Sequence, residues 1–106
     1  MIHVHAMYEK RSSDDRFDLE YLVQKRIPYV KQLLGPYGLD RIVVHAGIAG
    51  IPPGTPPKYC CMIVLSFETQ AGFEEAFRRE AVRLNAGIGD FTNIEPVVMV
   101  SEVASS

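Results

Sequence analysis

Two stretches decide the fold: Tyr59-Cys60-Cys61-Met62-Ile63-Val64-Leu65-Ser66-Phe67 and Val97-Val98-Met99-Val100. Each is a short apolar run bounded by proline, glycine or charged residues, which suits a strand better than a helix. Successive side chains of a strand point to opposite sides, so a sheet with one wet face alternates apolar with polar residues. These two runs do not alternate. Both faces of their sheet are therefore expected to be covered.

Working outward, Ile2 to Tyr8 reads as a strand with Ile2, Val4, Ala6 and Tyr8 on one face and His3, His5 and Met7 on the other. Leu39 to Ile48 is a strand centred on Ile42, Val43 and Val44, and the last strand spans Glu95 to Val103. Glu9 to Arg16 is a charged loop. Gly50 to Pro57 holds four prolines and two glycines in eight residues, a stiff loop. Asp18 caps a first helix, with Phe17 and Leu22 at hydrophobic-staple spacing. That helix should run to Leu34, end on a left-handed Gly35 and be barred from continuing by Pro36. Pro28 falls inside it and should kink it, leaving the Gln24 carbonyl without its usual donor. Thr69 caps a second helix over Gln70 to Ala86 with an apolar stripe of Phe73, Ala76, Phe77, Ala81 and Leu84. Glu74 with Arg78 and Glu75 with Arg79 are expected ion pairs on its solvated side.

The order βαββαβ is α+β and ferredoxin-like: an antiparallel four-stranded sheet with two helices on one face, in a single domain over residues 1–106. Two helices cover one face only. The other would expose several strands of Val, Ile and Met, more than a monomer usually tolerates. A twofold homodimer packed sheet to sheet is the simplest closed solution, so a homodimer is expected.

Composition narrows the function classes. The chain is 47% hydrophobic and 23% charged with a net charge of −2, which excludes intrinsic disorder and gives no basic footprint for nucleic acid. No apolar run is long enough to span a membrane, and the start lacks a secretory pattern. Cys60 and Cys61 are adjacent, fit no metal spacing and read as small buried residues in a reducing, cytoplasmic compartment. No Ser-His-Asp order, phosphate loop or zinc spacing is present, and no cofactor is expected.

Arg26 follows Leu22 by four residues and precedes Tyr29 by three, so it shares the core side of the first helix. A guanidinium there is costly unless it is paired or opens on a polar cavity. It either snorkels to the sheet edge, forms an interface ion pair, or stands in a helix–sheet cleft as a fixed donor for a carboxylate, phenolate or enolate oxygen. His3, His5 and His45 are acid–base candidates by residue type, though a strand histidine in so short a protein is more often a packed, hydrogen-bonded residue than a catalyst. His3 and His5 could approach one ion, but their spacing lacks a third ligand. Tyr21, Tyr29, Tyr59 and other tyrosines offer rings and hydroxyls, with Tyr21 at the rim. Phe77 supplies a ring from the second helix. Asp90, Asn93 and Glu95, after Gly87 and Gly89, either only stop the helix and start the strand or, for Asp90 or Glu95, answer Arg26.

The sequence resembles the EthD family, named for ethyl tert-butyl ether degradation. The resemblance rests on Met1 to Tyr8, Phe17-Asp18-Leu19-Glu20-Tyr21, Leu34-Gly35-Pro36-Tyr37-Gly38-Leu39 and Gly47-x-x-Gly50 with Pro53-Gly54 before Tyr59. It continues through Phe67, Phe73, Ala76-Phe77, Asp90-Phe91-Thr92-Asn93-Ile94-Glu95-Pro96 and Ser101-Glu102-Val103. It implies a dimeric α/β barrel of ferredoxin-like subunits. Relatives of that fold include cofactor-free monooxygenases, lactone isomerases and polyketide cyclases, and dehydratase or decarboxylase roles are implied within the family. The family's first helix carries His-x-Pro, where this chain has Arg26-Ile27-Pro28. Arginine stays protonated and cannot shuttle a proton. The resemblance then leaves Arg26 as oxyanion holder and Tyr21, His45 or Asp90 for proton transfer, or else a non-catalytic binder serving a degradative oxygenase, or a dimeric scaffold that takes no ligand. The substrate expected is a small, mostly apolar, oxygenated or aromatic compound, with His3, His5, Tyr29, Tyr59 and Phe77 as ligand-binding candidates.

Overall fold

The computed structural model describes residues Met1–Ser106. Four strands, β1 (Ile2–Tyr8), β2 (Leu39–Ala46), β3 (Cys61–Phe67) and β4 (Val97–Glu102), form one sheet in the order β2-β3-β1-β4, with all neighbours antiparallel. The two runs that refuse to alternate are β3, an inner strand, and β4, an edge. Strands β2, β3 and β4 end one or two residues short of the apolar pattern, while β1 matches it; past the end of β2 the Gly47 N–H still donates to the Cys60 carbonyl at 2.9 Å.

The helical layer packs on one face. Helix α1 covers residues 19–34, as an α-turn Leu19–Tyr21, a π-helical segment Leu22–Arg26 and an α-helix Ile27–Leu34. Asp18 caps its start, its carboxylate accepting from the Tyr21 N–H at 3.0 Å. Pro28 is accommodated by the π turn, not by a simple kink. The Ile27 N–H donates to the Leu22 carbonyl, and the α-helix restarts with Pro28 in its first turn, where a missing N–H is tolerated. Gly35 is right-handed, with φ −51°, contrary to expectation. The chain continues through a 3₁₀ turn, Gly35–Tyr37, and the left-handed residue is Gly38 with φ 89°. Pro36 fits such a turn because its N–H would be free there anyway.

The second helix is also divided. Helix α2 (Gln70–Arg79) and helix α3 (Ala81–Ala86) meet at Glu80, whose backbone leaves the helix with φ −104° and ψ 14°. Glu80 is held there by its side chain, which accepts from the Tyr37 hydroxyl and from Arg83, both at 2.7 Å. Thr69 caps α2, accepting from the Gly72 N–H at 3.0 Å. Both Arg78 and Arg79 pair with Glu75, so the expected Glu74–Arg78 pair is not made.

One core joins Ile2, Val4, Tyr8, Ile42, Ile63 and Phe67 of the sheet to Leu22, Ile27, Val30, Leu34 and Ala76 of the helices. Strand register fixes the opposite face as three cross-strand rows. They are Arg41-Ser66-His3-Ser101, Val43-Val64-His5-Met99 and His45-Met62-Met7-Val97. No element of the chain covers this face. On β4, Val97 and Met99 are 44% and 52% exposed.

Candidate functional site

Arg26 closes the π segment and is buried, 9% exposed. Its Nη2 donates to the Leu84 carbonyl in α3, and its guanidinium carbon lies 5.8 Å from the centre of the Tyr29 ring. A Cβ on Gly87 would fall 2.8 Å from Nη1, so the end of α3 lies close against the tip of the guanidinium. No Asp or Glu forms an ion pair with it. Burial pulls its pKa below the usual arginine range, opposed by Tyr29, Tyr8, Asp90 and Tyr21 in that order. It remains a cation near neutral pH.

Two spaces meet at this residue. An inner cavity of about 310 Å³ lies between sheet and helices, with Val4, Ala6, Ile63, Phe77, Ile88 and Phe91 among its walls. An outer vestibule of about 380 Å³ is lined by Tyr21, Lys25, Arg26, Tyr29, Arg83 and Asp90. The Tyr21 hydroxyl donates to Asp90 Oδ2 at 3.5 Å, a long bond. Tyr8 ends β1 at the cavity wall. Its ring packs on Phe17 at 5.0 Å and Phe91 at 6.2 Å between centroids. Burial, with the Cys61 thiol adding to it and Arg26 opposing, pushes the Tyr8 hydroxyl up to about 12, so it stays a neutral donor. Burial also pushes the Cys61 thiol up to about 11, away from nucleophilic chemistry.

The structure thus brings Arg26, Tyr21, Tyr29 and Asp90 together, with Phe77 on the inner cavity wall. Glu95 instead lines a separate groove with Glu9, Arg11 and Asp15. His3, His5 and His45 stand on the open face of the sheet, away from the cleft. Alternation sends them there, because their neighbours Val4, Ala6 and Val44 face the helices. His3 Nδ1 meets Ser66 Oγ at 2.7 Å and His5 Nε2 meets Ser101 Oγ at 2.8 Å. Tyr59 lies outside the cleft too, in the segment before β3, with Lys58 Nζ 5.7 Å from its ring centre. Asn85, Ile88, Phe91 and Pro96 line the cavity without any local sequence signal, whereas Tyr8 is signalled by sharing a strand face with Val4 and Ala6. No group of three or more His, Cys, Asp or Glu is placed to hold a metal ion, and no helix is long and apolar enough to cross a membrane.

This fold and cleft define a ferredoxin-like α+β domain with a mostly apolar space between sheet and helices that Arg26 borders. The chain is 30% identical to an EthD-like protein from Ralstonia eutropha JMP134, with a TM-score of 0.88 over 98% of this chain and 92% of that one. It belongs to the EthD family. An ethyl tert-butyl ether degradation (EthD) family protein from Bacillus halodurans C-125 shares the fold at 20% identity and TM-score 0.71, over 97% and 98% of the two chains. A dimeric ferredoxin-like protein from an uncultured marine organism does so at 13% identity and TM-score 0.61, over 99% and 95%. No family profile and no curated protein matches the chain.

Proposed function

We propose that the chain, as a homodimer, binds a small and mostly apolar oxygenated or aromatic compound in the cleft between α1 and the sheet. The observation that carries this reading is a buried guanidinium, without a carboxylate partner, at the junction of an apolar cavity and its vestibule. In this reading the body of the compound rests on Val4, Ile63, Phe77 and Ile88, and an oxygen faces Arg26. Tyr29 lines the entry, and Tyr21 with Asp90 are the groups that would move a proton. Arg26 acts only as a donor. A second reading, a non-catalytic binder serving another enzyme, draws support from the placement of all three histidines on the far side of the sheet.

Dimerisation through the open face is supported by its Val and Met rows and by the description of one structural neighbour as dimeric. Burying such a surface at ~25 cal/mol per Å² favours association strongly before its entropy is subtracted. Sedimentation should give about twice 11.9 kDa; the single-chain mass at micromolar concentration would refute the dimer. For the cleft, methyl NMR during titration with neutral acetophenone is expected to shift Val4, Ile63, Val30 and Leu84. Absence of shifts there, or shifts confined to Val43 and Val64, would refute cleft binding.

A further inference from the structure

The polar inventory of the inner cavity is one-sided. Its polar lining residues are Arg26, Asn85 and Tyr8, with no carboxylate. Arg26 gives one donor to the Leu84 carbonyl and keeps others free. No hydrogen bond within the chain accounts for any of the shift of Tyr8, whose hydroxyl remains a donor. In the vestibule Lys25, Arg26 and Arg83 face Asp90. Arg83 is taken by Glu80 at 2.7 Å. Lys25 and Arg26 are left opposite one carboxylate, an excess of one positive charge.

A buried cation without a directly paired carboxylate is the costly arrangement, and a ligand that brings one relieves it. A carboxylate does so with two oxygens that match a guanidinium side by side. A neutral ether, ketone or alcohol supplies an acceptor but no charge. A doubly charged phosphate brings more charge than the site lacks. Size sets the rest: about 310 Å³ holds ~10 water-sized units, enough for a single substituted ring.

We propose that the cavity selects a monocarboxylate with one ring-sized apolar body, its carboxylate seated on Arg26 and Tyr8 and its body against the sheet. This rests on the cleft reading above and narrows it to a class of ligand.

Phenylacetate and phenylacetamide are near-isosteric and differ in charge, which makes them the test. Calorimetric titration of the whole chain at pH 7 is expected to show phenylacetate binding tighter by about tenfold or more, since charge-assisted pairs are roughly twice as strong as neutral ones. Arg26→Gln should erase that preference while phenylacetamide still binds. Tyr8→Phe should weaken phenylacetate more than phenylacetamide. Equal affinity of the two compounds for the unmodified chain overturns the proposal and leaves the cleft reading standing. Binding of neither overturns both, and the comparison on the unmodified chain decides even if a variant fails to fold.

Discussion

The two faces of this sheet are built from alternate residues of the same four strands, and they carry opposite chemistries. Toward the helices stand Val4, Ala6, Ile42, Ile63 and Val98, and the cation in their cleft comes from a helix. Away from the helices stand all three histidines and Arg41, set among Val43, Val64, Met7, Met62 and Met99. One step along a strand separates the two environments. A slip of one residue in register would exchange them, so the pairing of β1 with both its neighbours sorts the chemistry as well as the shape. The cleft and the open face lie back to back, divided by a single layer of backbone.

The sharpest way to break this contrast uses two neighbours in β3. Ile63 is buried toward the helices and Val64 faces the open side. Ile63→Ala should cost ~2–5 kcal/mol in urea unfolding at any protein concentration, from lost transfer energy and the hole left behind. Val64→Ala should cost well under ~1 kcal/mol in dilute protein, and more as concentration rises and the open face is covered. A concentration-independent cost at Val64 equal to that at Ile63 would mean that the open face is not a partner surface.

Arg26→Met sharpens the contrast from the helical side. It removes a buried charge that no carboxylate balances, and it also removes the donor to the Leu84 carbonyl. Replacing buried charge by an apolar side chain of similar length is often stabilising, and this gain offsets the donor lost to the carbonyl of Leu84, a residue of the inner cavity wall. Thermal unfolding should place this variant within ~1 kcal/mol of the original, on the stable side. A loss of several kcal/mol would make Arg26 a structural tie instead of a ligand donor.

How much of this was legible from sequence follows the same division. Apolar runs at Cys60–Leu65 and Val97-Val98-Met99-Val100 signalled a sheet that is apolar on both faces, because alternation is a local signal. Arg26 was legible through its spacing from Leu22 and Tyr29. Its π turn was not: a proline in a helix predicts a break but leaves open whether the chain kinks or widens. The exchange of Gly35 for Gly38 as the left-handed residue escaped for a similar reason, since Pro36 blocks an α-helix yet suits one more 3₁₀ turn. Candidate status for His3, His5 and His45 came from residue type, and their alternation with Val4, Ala6 and Val44 was the signal that argued against the cleft. Asn85, Ile88, Phe91 and Pro96 reach the cavity only through tertiary packing, so nothing local marks them.

The smallest effect concerns a seam inside the helical layer, the bond from Tyr37 to Glu80. The Tyr37 hydroxyl, with Arg83 beside it, holds the Glu80 carboxyl below the usual carboxylate range, and the same bond raises the Tyr37 hydroxyl. A lowered folded-state pKa gives stability that is complete above the unfolded carboxylate value, near 4.3 for a free glutamate, and is lost as pH falls through the folded value. A raised tyrosine contributes fully below its unfolded value, near 10, and loses that contribution as pH rises through the folded one. The seam should therefore stabilise on a plateau between those limits. Subtracting Glu80→Gln from the original in urea midpoints across pH 3 to 8 should give a difference that is flat near neutrality and shrinks toward pH 3, with Glu75 and its arginines cancelling because both proteins carry them. Glu80 stands at the α2–α3 junction, on the helical side. Its loss should leave the sedimenting mass unchanged, whereas a change of mass would show that the two faces are coupled through the sheet.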